Sequence, residues 1–390
     1  MFDFDKVIER RGSYSIKYDM ALKGRPDDVI PMWVADMDFA APPCVREAIA
    51  AQNEHGVFGY FDTGEEYFTP LRRWLSARFG WEADNAWLVK TPGVVSAIHI
   101  SLLAFTGPGE SVIVQQPVYY PFAGAVRKTG RKLVVSPLVY EDGHYRIDFD
   151  DFQAKIVAEN VRAFILCNPH NPVGRVWTRQ ELTRLGDICL RHSVAVISDE
   201  IHQDFVYGGH NHIVYAGLGE RYSEHSVICT APTKTFNLPG LPVANIFIPG
   251  AGMRARFLEE YAKFGVTQIG VMEIVACHAA YEGGEQWLHQ LNEYLALNMK
   301  HVGAFLQENL PQVKLVEPQG TYLAWLDFKA LGMSAKELEA MMINKAKVWL
   351  QNGTIFGEGG EGFLRMNVAC PRTVLHFALQ RIEGAVNHRR

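Results

Sequence analysis

No run of apolar residues reaches the length of a membrane span, although 48% of the 390 residues are hydrophobic. No C-x-x-C pair occurs among the six cysteines (44, 167, 189, 229, 277 and 370), so neither a zinc site nor a disulfide framework is indicated. No H-E-x-x-H or similar spacing organises the 14 histidines, and no metal is expected. No basic stripe is present and the net charge is -5, which disfavours a nucleic-acid partner. No internal repeat or low-complexity linker interrupts the chain. The opening Met1-Phe2-Asp3-Phe4-Asp5 lacks the basic and apolar regions of a signal peptide, so the cytoplasm is the expected location and no membrane partner is expected. What remains is a globular chain long enough for a large domain plus a smaller one.

What is present centres on Ser198-Asp199-Glu200-Ile201-His202 and on Lys234. The apolar run Val194-Ala195-Val196-Ile197 reads as a fully buried parallel strand. A carboxylate at its carboxyl end sits where open α/β sheets bind ligands. A second run, Ser226-Val227-Ile228-Cys229, leads through Thr230 towards Thr233 and Lys234. A lysine just past a buried strand can be desolvated, which lowers its pKa and makes it a nucleophile. An acid and a lysine at neighbouring strand ends suit a pyridoxal phosphate site. Taken singly, the same residues also read as a helix cap or turn and as a solvated surface charge.

From about 111 to 230, strand and helix patterns alternate. Strands are expected at 111–115, 133–136, 163–167, 194–198 and 226–230, with helices near 121–129, 150–158 and 178–192. This alternation predicts a largely parallel sheet covered by helices. Right-handed crossovers then put the strand-end loops on one edge, bringing together Tyr119, the Asn168–Pro172 region, Asp199, His202 and Lys234. Before this, residues 1 to about 43 read as irregular, with Trp33-Val34-Ala35-Asp36-Met37-Asp38-Phe39 as the ordered part, and helices are expected at about 44–54 and 65–79. Gly56-Val57-Phe58-Gly59-Tyr60 reads as a packed loop. Thr91-Pro92-Gly93-Val94-Val95 opens a helix to about 105, whose amides could seat a phosphate. Beyond 230 a strand is expected at 243–248, helices near 251–263, 268–282 and 285–308, a strand at 322–326 and a helix at 334–346. The glycine-rich 357–362 stretch lacks the G-x-G-x-x-G order and reads as a flexible turn. Arg365, in the strand after it, is either an edge charge or a fork for a carboxylate.

Together these motifs resemble one family. They are Asp36-Met37-Asp38-Phe39, His55-Gly56-Val57-Phe58-Gly59-Tyr60, Asn168-Pro169-His170-Asn171-Pro172-Val173-Gly174, Ser198-Asp199-Glu200-Ile201-His202, Lys234-Thr235-Phe236-Asn237-Leu238-Pro239-Gly240 and the run from Gly362 to Arg372. They resemble the pyridoxal 5'-phosphate (PLP) enzymes of class I/II aminotransferase type, within the MalY/PatB branch of cystathionine β-lyases, or C–S lyases. The resemblance covers nearly the whole chain. It implies an α/β fold of the aspartate aminotransferase-like kind (fold type I), with a mostly parallel seven-stranded sheet in a large domain and a smaller α+β domain. The large domain would span 44–284 and the small one 1–43 with 285–390.

The resemblance also assigns roles. Lys234 would carry PLP covalently and later move protons, and Asp199 would pair with the ring nitrogen. Asn171 would donate to the ring hydroxyl oxygen, with His202 nearby, and Tyr119 would stack on the ring. Val94 and Val95 would give amides, and Thr233 a hydroxyl, to the phosphate. Tyr60 would reach the phosphate of the neighbouring subunit, implying a homodimer. Arg365 would hold the substrate carboxylate, with the backbone near Ala35 closing over it. Three positions depart from the family pattern: Pro242 stands where an arginine commonly meets the phosphate, Ala231 where serine is common, and His202 where aminotransferases usually have tyrosine. The last favours a lyase of amino-acid metabolism cleaving L-cystathionine or related S-substituted cysteines to a thiol, pyruvate and ammonia. A class I/II aminotransferase and a non-catalytic regulatory PLP protein are the alternatives; Thr230, Thr233 and Tyr60 are the expected substitutes for the missing arginine.

Overall fold

The structure is a computed structural model describing residues 2–26, 28–266 and 268–388. Residues 1, 27, 389 and 390, which the expected small domain includes, and residue 267 of the expected large domain lie outside the described residues. Seven strands form the main sheet: β1 (Leu88–Thr91), β2 (Ser111–Val114), β3 (Lys132–Val135), β4 (Val161–Cys167), β5 (Ala195–Asp199), β6 (Ser226–Thr230) and β7 (Ala244–Phe247). Their spatial order is β1-β7-β6-β5-β4-β2-β3. Strand β7 runs antiparallel to both neighbours, and the other pairings are parallel. The alternation expected from sequence is therefore present, and Asp199 closes a central strand. β5 and β6 read as apolar runs because helices cover both sheet faces: Ile197, Val227, Ile228 and Cys229 are all fully buried.

The helices Pro43–His55, Glu65–Phe79, Val94–Phe105, Pro121–Lys128, Phe149–Ala158 and Arg179–Arg191 fall close to the expected positions. The last carries a reciprocal cap, in which the Thr178 hydroxyl accepts from the Glu181 amide and the Glu181 carboxylate accepts from the Thr178 amide. The 25-residue helix Glu285–Asn309 then leads to a second, antiparallel sheet. Its strands are β8 (Lys314–Leu315), β9 (Leu323–Asp327), β10 (Gln351–Asn352) and β11 (Phe363–Asn367), in the order β8-β9-β11-β10. A parallel pairing of Ile30–Pro31 with Val348–Trp349 ties the N-terminal segment to this part of the chain.

Several expectations need correction. The 334–346 helix is α-helical only over Ala335–Ala340 and continues as a π-turn, Met341–Ala346. The irregular N-terminal stretch contains a π-turn of its own, Ile16–Met20. The 357–362 turn is docked, not free: the Gln116 side chain accepts from the Glu358 amide at 2.8 Å, and Val118 N–H donates to Phe356 O at 3.0 Å. The 56–60 loop is not packed; Val57 and Phe58 are exposed and Tyr60 is 100% exposed. Among the described residues no helix is long and apolar enough to cross a membrane.

Candidate active site

At the carboxyl edge of the main sheet a cavity of about 310 Å³ opens between the two sheets. A larger hollow of about 670 Å³ lies at the amino ends of the strands, against Glu110, Arg162 and Ala195, and includes neither Asp199 nor Lys234. Volume does not decide between the two; the chemistry of the walls does.

Asp199 enters the smaller cavity from the last position of β5. Side chains alternate along a strand, so the next residue points elsewhere. Glu200 is buried on its own network, accepting from Ser198 Oγ (2.7 Å), the Tyr215 amide (2.9 Å) and His212 Nε2 (2.8 Å). Asp199 accepts one hydrogen bond, from the Ile201 amide at 3.1 Å. Burial pushes its carboxyl up to about 7; the Ile201 amide and Lys234 pull it back, and Glu200 pushes it further up. Such a carboxylate suits a cationic N–H.

Lys234 sits in the short helix Pro232–Thr235 after β6. The turn is pinned by Thr235, whose hydroxyl donates to the buried Asp204 at 2.8 Å. Burial brings the Lys234 ammonium down to about 8, with Asp36 opposing, Arg365 assisting and Asp199 opposing. Its Nζ donates to Ala35 O at 2.7 Å. The same carbonyl accepts from Tyr322 Oη at 3.0 Å.

Arg365 lies on β11, bonded on both sides by β9 and β10, and is 3% exposed, so it is not an edge charge. Its Nη1 donates to Asn171 Oδ1 (3.0 Å) and its Nη2 to Trp33 O (2.8 Å), while Nε is buried without a partner. The guanidinium rests on the Phe356 ring, 4.8 Å from its centre. His202 packs edge-on to Tyr322 and has a buried, unpartnered Nδ1. Burial, with Lys234 and Arg365 nearby, holds its pKa well below the usual histidine range, so the ring is neutral.

Tyr119, Thr233, Val94 and Val95 line the same cavity. Gly93 adopts φ +115°, a conformation glycine tolerates, and caps the helix Val94–Phe105, whose first residues line the cavity. One expected residue is not brought in. Thr230 is fully buried and spends its hydroxyl on Asn245 O at 3.0 Å, because it pairs across the sheet with β7. Tyr60, expected to serve the site of a neighbouring subunit, is wholly exposed on this chain. Pro242 does line the cavity, so the missing arginine leaves Lys234 and Arg365 as the cations on the described wall.

Sequence reasoning missed Trp33, Tyr322, Gln351 and Asn367. Asn367 sits inside a quoted motif and binds Val34 O and Asp36 O at 2.7 and 2.6 Å. Tyr322 carried no signal beyond a strand pattern.

The walls fit PLP: a lone buried carboxylate for a ring cation, a partly desolvated amine, a helix start for an anion and an unpartnered guanidinium N–H. Relatives agree. The model of the family described as aminotransferase class I and II matches residues 27–382. The cystathionine beta-lyase PatB of Bacillus subtilis is 43% identical, covering 99% of this chain and all of that protein. The protein MalY of Escherichia coli is 33% identical over 99% of this chain and 98% of its own length. The crystal structure of cystalysin from Treponema denticola, which contains a pyridoxal 5'-phosphate cofactor, superposes with a TM-score of 0.97 at 35% identity, each chain fully covered. With its sheet order, its paired acid and lysine and these relatives in agreement, the chain belongs to the class I and II aminotransferase family, close to its MalY/PatB-type members.

Proposed function

We propose that the protein is a PLP-dependent C–S β-lyase that cleaves L-cystathionine or related S-substituted cysteines to a thiol, pyruvate and ammonia. The observation carrying this reading is the convergence of Asp199, Lys234 and Arg365 on one cavity beside a neutral His202. When bound, PLP supplies an electron sink for the bond broken at the amino acid's Cα. Asp199 would face the ring nitrogen, and its buried carboxylate gains a cationic partner there. Lys234 would hold the cofactor and, once freed, take the Cα proton; burial keeps its amine poised for this near neutral pH. Arg365 would bind the α-carboxylate through its fork, with Asn171 and the Trp33 carbonyl fixing the guanidinium plane. Tyr119 would cover the ring face. The amides of Val94 and Val95 and the Thr233 hydroxyl would meet the phosphate, together with Tyr60 of a second subunit in a homodimer. The exposed Val57, Phe58 and Tyr60 support that assembly. We take residues 44–284 as the cofactor-binding domain and 1–43 with 285–390 as the small domain.

The test is incubation of the PLP-loaded enzyme with L-cystathionine without a keto acid, following pyruvate and free thiol. Multiple turnovers of both products are expected. Amino transfer only after a keto acid is added would establish the aminotransferase instead, and neither activity the regulatory protein.

A further inference from the structure

Residues 33–38 form an irregular strap at the cavity, held through their main chain from both sides. Residues following the long helix Glu285–Asn309 bind it at Trp33 O (Arg365), Val34 O and Asp36 O (Asn367) and Ala35 O (Tyr322). Residues after β6 bind it at Ala35 O (Lys234) and at both polar groups of Met37, where Asn237 accepts from the amide (2.9 Å) and donates to the carbonyl (3.0 Å).

The strap's two carboxylates are held by a third group of residues. Arg10 Nη2 meets Asp36 Oδ2 and Nη1 meets Asp38 Oδ1, both at 2.7 Å. Lys17 Nζ lies 2.8 Å from Asp38 Oδ2 and 3.5 Å from Asp36 Oδ1, and the lysine is 1% exposed. Tyr18 Oη donates to Asp38 at 3.2 Å. The segment bringing these cations is otherwise poorly buried, with Tyr14, Ile16 and Met20 all exposed. It is therefore fastened to the body chiefly by charge. A buried lysine persists only with good partners, and here two carboxylates are matched by two cations. None of the four charges is spent on a cavity wall.

We propose that Arg10 and Lys17 are positioning residues: by neutralising Asp36 and Asp38 they fix the strap and limit the negative field at Lys234. The proposal rests on Lys234 being the cofactor lysine. The charged and titratable groups facing Lys234 are Asp36 from the strap, Asp199 from β5 and Arg365 from β11, with His202 and Tyr322 alongside. Asp36 favours the charged amine, so removing a cation from Asp36 and Asp38 strengthens that effect. Lys234 then holds its proton to higher pH, and the strap loses an anchor.

The experiment uses Lys17→Met, which keeps an apolar stem, and Arg10→Gln, at a less buried site. A charge-matched double variant, Lys17→Met with Asp38→Asn, completes the set. Two readouts apply: the pH midpoint of the visible absorbance of the PLP-loaded enzyme, and amide hydrogen exchange across residues 33–38 in cofactor-free protein. Each single variant is expected to raise the midpoint by about half a unit or more. Exchange in the strap should rise about tenfold, with the main sheet unaffected. The double variant should return the midpoint towards wild type. Unchanged midpoint and exchange in both single variants would overturn the proposal, as would a double variant displaced as far as Lys17→Met. If the wild type releases no pyruvate from cystathionine while midpoint and exchange still move, the lyase reading falls and the positioning role stands.

Discussion

Asp199 carries an electrostatic cost of burial in cofactor-free protein that its neighbour Glu200 increases. Its folded pKa, about 7, lies above the ordinary 3.8. Between those values the folded state binds the proton more tightly than the unfolded chain does. This group's contribution to stability therefore falls as pH rises from about 4 to 7, and the full cost, on the order of 4 kcal/mol, persists above. Asp199→Asn should accordingly raise the melting temperature of cofactor-free protein at pH 8 by a few degrees, with little gain at pH 4, while lyase activity is lost. A thermal melt at the two pH values checks this. The motifs made Asp199, Lys234, Asn171 and Arg365 legible as individual residues. Thr230 was misjudged because the destination of a strand hydroxyl depends on register, and its partner, Asn245 O, belongs to a strand fifteen residues further on.

At the scale of elements, the buried strands were legible as short apolar runs, because helices cover both faces of the sheet, and the helices as amphipathic stretches between them. The strap was not. It has no periodicity, and its hydrogen bonds come from side chains as distant in sequence as Arg365 and Asn367. Strand β1, four residues interrupted by Lys90, left a similarly weak trace. Helix packing makes a sharper prediction. Gly186 lies in the helix Arg179–Arg191, and an added Cβ would stand 2.7 Å from the Tyr222 ring and 2.9 Å from the Tyr215 hydroxyl. Because rings cannot swing aside as a flexible side-chain end can, Gly186→Val should destabilise the fold by about 2 kcal/mol, with overpacking outweighing glycine's poor helix propensity. Denaturant unfolding of the variant measures it, and kcat should remain near wild type because the site lies beyond the strand ends.

For the whole molecule, the seven-stranded sheet and its second sheet follow from alternation together with family resemblance. Tyr60 projects fully into solvent from a loop that also exposes Val57 and Phe58. A site that borrows a residue from its neighbour permits genetic complementation in the test tube. Lys234→Ala and Tyr60→Ala subunits, each inactive or nearly so alone, should regain activity when unfolded, mixed in equal amounts and refolded. Half the dimers would then be mixed, and each mixed dimer would rebuild one of its two sites, giving about a quarter of wild-type turnover. If instead no activity returned and each variant refolded separately to a PLP-binding or soluble dimer, every catalytic centre would be self-contained. Recovery would mean that the smallest unit able to turn over substrate is a pair of chains, and that dilution alone can switch the enzyme off.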